Sequence, residues 1–249
     1  MKVKVVNYKL VPFISLLLAW QSLACSAEEL VVYPHVPGLA ASAHYTVHVR
    51  LAAAGNRWQN AFACETECKT IERKSDAYFD TLAGWTHTYV NFETSVAVEI
   101  EIARSNGQPI RAAAVHPKRQ SAACFVKEGK AFVRLDKPCL VAVDIDGQMH
   151  GQDTGKDYKG SPIHTISLFA NPPLVGKPKP NDPGVLTVKP GEIPPSDGPW
   201  TTRYFLPGVH DIGLAFPLHA NRSYYIPGDA IVYGTLSNQK WSAGHNIRI

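Results

Sequence analysis

Three groups of residues could do chemistry. Glu99 and Glu101 stand two apart in an alternating run, so both carboxylates share one strand face. A carboxylate pair is what glycoside hydrolysis uses, but its members come from different strands facing each other across a cleft. A solvated strand face is the better reading. Asp144, Asp146 and Asp153 surround an Asp-Gly turn. Oxygen ligands suit Ca²⁺, but the spacing is not that of a 12-residue loop, and Asp-Gly is an ordinary hairpin signal. Trp58, Trp85, Trp200 and Trp241 could each stack on a sugar ring, although an isolated Trp more often serves a core. The ten histidines are scattered singly. No G-x-S-x-G elbow, P-loop or dinucleotide fingerprint occurs, so no cofactor, metal or catalytic residue is assigned.

Cysteine usage points to an oxidising compartment. Cys25 lies at the end of an N-terminal leader, which leaves Cys64, Cys68, Cys124 and Cys139. Four cysteines allow three connectivities. Cys64–Cys68 with Cys124–Cys139 is the most local, and the second pair flanks an expected hairpin turning at Glu128-Gly129. The C-x3-C spacing has no matching second knuckle for zinc.

The leader itself is clear. Lys2, Lys4 and Lys9 precede eleven apolar residues, 10–20 (LVPFISLLLAW), and small residues follow at 22–24 and 25–27. Eleven residues are too few to span a bilayer but fit a secretory signal. The mature chain is expected to begin at Cys25 or Glu28 and to be secreted, with lipid attachment at Cys25 as the alternative. No transmembrane helix is expected. The formal charge of +4 falls by three, to +1, once the leader is set aside. A near-neutral chain has no basic field for a phosphate backbone, so nucleic acid is excluded as a partner.

The elements that must carry these residues are strands. Residues 45–51, 94–103, 110–115, 130–135, 139–145 and 163–169 alternate with period two. In 94–103 (TSVAVEIEIA), Val96, Val98, Ile100 and Ile102 face one way and the glutamates the other. Ser105-Asn106-Gly107, Glu128-Gly129 and Asp146-Gly147 mark turns. No 12-residue segment has a helical period. At 249 residues and 45% hydrophobic, the chain fits an all-β fold: a β-sandwich over 28–171. Residues 172–199 hold nine of the nineteen prolines and read as an extended linker without ladder pairing. Beyond it, 203–208 (RYFLPG) is echoed twenty residues later by 223–228 (SYYIPG), and 246–249 (NIRI) follows one period on. A repeat of that length with Gly/Pro corners suits a β-solenoid. Leu206, Ile226 and Ile247 are then expected at equivalent inward positions. Asn221-Arg222-Ser223 is a glycosylation sequon, meaningful only in a eukaryotic secretory host.

Residues 200–208 (WTTRYFLPG), 223–236 (SYYIPGDAIVYGTL) and 244–249 (GHNIRI) resemble the first rungs of pectin-lyase-like right-handed parallel β-helices. These occur in the polygalacturonase and the dextranase/isopullulanase families, where a Y-x-x-G-A-x-V-x-G rung precedes one beginning N-I-x-I. The alternating blocks 89–117 and 141–171 are similar in placement to the N-terminal sandwich of the dextranase-like group. The resemblance implies a polysaccharide as partner and a glycan-degrading lineage. It carries over no catalytic residue, because the family needs several further rungs and its carboxylates lie on central ones. The chain is therefore expected to be the front part of a longer enzyme. The alternatives are a non-catalytic carbohydrate-binding or adhesion module, and a small enzyme that uses the sandwich itself.

Overall fold

The computed structural model describes residues 30–53, 55, 57–67, 86–118, 122–148, 164–193, 195, 198–237 and 246–249. The fold is all-β: a sandwich followed by the first coils of a parallel β-helix.

One sandwich sheet contains β1 (Leu30–Val32), β4 (Ala63–Glu67), β5 (Thr86–Thr94), β7 (Ala113–His116), β10 (Cys139–Ile145) and β11 (His164–Asn171). Its order is β1-β5-β11-β10-β7. β4 pairs with the first half of β5 and β1 with its end. β5 and β11 run parallel over their length, His164 opposite Thr86 and Asn171 opposite Glu93. The other sheet contains β2 (Tyr45–Leu51), β3 (Gln59–Ala61), β6 (Val98–Arg104), β8 (Ala123–Lys127) and β9 (Lys130–Leu135), in the order β3-β2-β6-β9-β8. Alternation dictates what each buries. Val47 and Val49 of β2, Val98, Ile100 and Ile102 of β6, and Ala131, Val133 and Leu135 of β9 point into the sandwich. Val90 and Phe92, Val143 and Ile145, and Ile166 and Leu168 meet them from the other sheet. The expected strand at 94–103 starts later, at Val98, because Ser95 and Val96 lie in the bend that carries the chain between sheets.

Glu128-Gly129 forms the expected hairpin, with φ of 52° and 74° and Lys127 opposite Lys130. The expected Cys124–Cys139 bond is absent. Cys64, Cys124 and Cys139 are free thiols. The reason is topological: Cys124 lies on β8, an edge of one sheet, and Cys139 opens β10 in the other. Burial pushes all three thiols above their ordinary range. Cys25 and Cys68 lie outside the described residues.

The proline-rich segment differs from its expected form. Between Pro183 and Pro190 it carries β12 (Val185–Val188), a strand with every N–H available. β12, β13 (Thr202–Phe205) and β15 (Ser223–Tyr225) form a parallel sheet, and Arg248 continues it through a bridge to Ser223. β14 (Gly208–Pro217) and β16 (Ala230–Ser237) form a second parallel pair. Together they are successive coils. The register places Arg203 opposite Tyr224 and Gly208 opposite Ala230, one and two residues beyond the twenty-residue echo. Leu206 is therefore not level with Ile226. The inward positions belong instead to Val188, Phe205, Phe216, Tyr224 and Ala230, with Ile226 and Ile247 packed at the margin.

Among the described residues the two cores are unequal: twenty-one buried apolar side chains in the sandwich and six in the coils. Each fully buried Val, Leu, Ile or Phe contributes roughly 1.5–3 kcal/mol. The sandwich is therefore the more self-sufficient unit.

Candidate functional site

The sandwich and the coils meet around Glu93. β1 pairs Val31 with Glu93, which brings Tyr33, just past the strand, beside the same carboxylate. The Tyr33 hydroxyl donates to Oε1 of Glu93, and the Lys177 ammonium donates to Oε2. From the coils, Gly228 lies against the Tyr33 ring where any Cβ would collide with it. Tyr204 and Tyr225, opposite each other in the ladder, stand 5.1 Å apart in the same region. Burial is the main cause that raises the Tyr33 phenol far above its ordinary range, and the Glu93 hydrogen bond adds to it. Tyr225 is pushed up to about 12, by burial first and then by Glu93, Tyr204 and Asp229. These phenols stay protonated, and Tyr33 donates to Glu93. With both its oxygens engaged, Glu93 is a clasp rather than a general acid or base. Its partners lie 60 and 84 residues away in sequence, so no local spacing announces it.

A second polar cluster brings together a serine, histidines and a carboxylate. His44 lies 3.4 Å from Glu65, and its ring is 3.8 Å from that of His164. Burial and then the charge of His44 hold His164 below its ordinary pKa. Ser42 Oγ donates to Glu65 at 2.8 Å, lies 2.9 Å from Thr88 Oγ1, and accepts the N–H groups of His44 and Tyr45. A nucleophile needs its hydroxyl aimed at a base and open to substrate. Ser42 is buried and aimed at a carboxylate and a turn, so the cluster caps the start of β2.

The residues singled out by sequence fall as follows. Glu99 and Glu101 do share the outer face of β6, and both are ion-paired: Glu99 with Arg50 at 2.6 Å, Glu101 with Lys130 at 3.1 Å. Trp58 lies under the Arg50 guanidinium on that face. Trp200 is buried in the coils, so it is not a sugar platform. Asn221, the sequon asparagine, is exposed and accepts from Asn246 at 3.1 Å. Asp153, Trp85 and Trp241 lie outside the described residues. Asp144 is buried. Asp146 Oδ1 accepts the N–H groups of Arg111 and Ala112 at 2.9 and 2.7 Å, and Oδ2 accepts from Arg104 at 2.8 Å. Burial alone would raise the Asp146 pKa, but the Arg104 hydrogen bond and the two N–H groups outweigh it and hold it below the usual range.

A lowered folded pKa gives stability that is present above the unfolded value, about 3.9, and is lost as pH falls through the folded value. Asp146→Asn is expected to lower stability at pH 7 by about 1.5 kcal/mol. It should also flatten the acid limb of Tm below roughly pH 4. A variant whose Tm parallels wild type from neutral to acid pH would contradict this role.

No protein-family model matches the sequence, and no curated protein matches it. Among solved structures, the chain is similar to Dex49A from Penicillium minioluteum, with a TM-score of 0.56 and 18% identity. The match covers 88% of this chain and 54% of Dex49A, so the chain spans about half the length of that structure. The likeness shows a shared fold, a sandwich followed by parallel coils. Among the described residues, no helix is long and apolar enough to cross a membrane.

Proposed function

We propose that this chain is the N-terminal part of a secreted glycoside hydrolase that degrades a dextran- or pectin-type polysaccharide. The observation that carries the reading is the order of architectures. A sandwich leads through a clasp at Glu93 into parallel coils, and the likeness to Dex49A, a dextranase, runs across most of the chain. In this reading the sandwich and first coils are scaffold, and the reacting carboxylates lie outside the described residues. Glu93, Glu99, Glu101 and Asp146 are each committed to a cation or to N–H groups, and none is left as a proton donor or nucleophile. Residues 1–27 act as the export leader, which N-terminal sequencing of exported protein tests; an intact Met1 would refute it.

Release of reducing ends from dextran, pullulan and polygalacturonate is the direct test. The full-length gene product should release them from at least one, and the 249-residue chain from none. A full-length product inert on all three would overturn the reading. So would turnover by the short chain that is lost on mutating a sandwich carboxylate.

A further inference from the structure

The outer face of the five-stranded sheet carries an unusual set of side chains. Three successive rungs can be read from the register. Ala123, Arg134, Glu99 and Arg50 form one. Phe125, Phe132, Glu101, His48 and Asn60 form the next, and Lys127 and Lys130 begin the third. Outward positions on an amphipathic strand ordinarily take polar residues. Here Phe125 and Phe132 sit directly opposite each other, stacked at 5.3 Å and 14°, with Phe125 54% exposed. Trp58, just before β3, folds across the sheet to within 6.4 Å of Phe132. The result is a strip of three aromatic rings along the wet face of a sandwich.

The strip is held in place. The Arg50 guanidinium lies 4.3 Å from the Trp58 ring centroid and is fixed from its other side by Glu99, through Nε at 2.9 Å and Nη2 at 2.6 Å. This restricts Trp58 before any ligand arrives, which lowers the entropy cost of binding. A shallow depression of about 260 Å³ opens beside the rings, lined by Arg50, Glu99, Phe125, Lys127, Phe132 and Arg134.

We propose that this face binds a neutral glycan chain. Two features select that ligand. A pyranose ring presents an apolar C–H face to an aromatic ring, while its hydroxyls donate and accept around the edge. The strip supplies the rings, the bordering guanidinium groups supply strong donors and the carboxylates strong acceptors. Charge selects neutrality. Each cation of the face has a carboxylate partner: Arg50 has Glu99, Lys130 has Glu101, Arg134 has Glu99 and Asp136, and Lys127 has Glu128. A polyanionic glycan would have to displace those pairs, whereas a neutral one adds hydrogen bonds without breaking them. The site stands independently of the hydrolase reading, because it concerns retention and not turnover.

Affinity electrophoresis of the exported chain tests it, in native gels containing dextran, pullulan or polygalacturonate. Dextran or pullulan should retard the protein, equally at roughly 0.05 M and 0.5 M salt, because no net charge is being neutralised. Phe125→Ala and Trp58→Ala should each weaken retention roughly tenfold or more, as truncation of an aromatic anchor does. Phe125→Tyr should keep it, and so should Leu140→Ala, which removes a comparably exposed apolar residue from the other sheet. Thermal melts show which variants are folded, and only those count. Wild type unretarded by either neutral glycan, or full retention by folded Phe125→Ala and Trp58→Ala, would overturn the proposal. Salt-sensitive retention on polygalacturonate alone would overturn its choice of ligand.

Discussion

Arg203→Ala is expected to unfold the coils while the sandwich stays folded. Arg203 is fully buried in the middle of β13, between Leu186 and Tyr224 in the ladder. Its guanidinium carbon lies 4.1, 4.9 and 5.7 Å from the ring centroids of Trp200, Phe216 and Tyr224, and Nη2 donates to the Pro195 carbonyl. Those three rings are half of the six buried apolar side chains described in the coil core. Truncation leaves them facing a large void and leaves a carbonyl without its donor. The expected loss is about 3–5 kcal/mol, comparable to what so small a core can supply. Arg203→Met should cost clearly less, because it fills much of the volume and removes the desolvation of a buried charge. Calorimetry should show the coil transition lost in the alanine variant and the sandwich transition unmoved. Proteolysis should then cut within 172–199 and release an intact sandwich. A single shared transition, lowered as a whole, would show that the two parts do not unfold separately.

Gly228→Ala is expected to open the junction. The new methyl group would fall on the Tyr33 ring. That ring cannot simply swing away, because its hydroxyl is tied to Glu93, which Lys177 holds from the other side. Overpacking of this kind costs about 1–3 kcal/mol. The diagnostic is rescue. Tyr33→Ala removes the obstacle, so the double variant should be no less stable than Tyr33→Ala alone. Tyr33→Phe removes only the hydroxyl and should give no such relief. Additive losses in the double variant would mean that Gly228 is required for some other reason.

Much of this architecture is legible in the sequence, for a specific reason. Segments 45–51 and 130–135 coincide with β2 and β9 because each has one dry face and one wet one, and 139–145 coincides with β10 because Val141, Val143 and Ile145 alternate inward. β5 (THTYVNFET) is caught only in part, within the block from Tyr89, because it is central and Thr88, Glu93 and Thr94 are buried along with its apolar residues. β12 is hidden by composition: four residues between prolines carry too little pattern. The coil echo is visible in the Pro-Gly corners, but corners are not rungs, and the true register runs one or two residues longer. The Glu93 clasp joins residues that only the folded chain brings together. The aromatic strip is half-visible. Once the phase of β8 and β9 is fixed by Val133 and Leu135 pointing inward, Phe125 and Phe132 must point out. That Trp58 folds over to join them lies beyond any periodicity.

The parallel pairing of β5 with β11 also sets an order of events during synthesis. Thr86 meets its partner His164 only after the intervening chain has been made, and the ladder is complete only at Asn171. Until then one whole edge of a central strand is open, with its N–H and C=O groups available to any other extended chain. Long-range closure of this kind is slow, and the nascent protein must be kept from pairing with its neighbours while it waits. The coils, whose neighbouring strands lie closer in sequence, can close their ladders sooner.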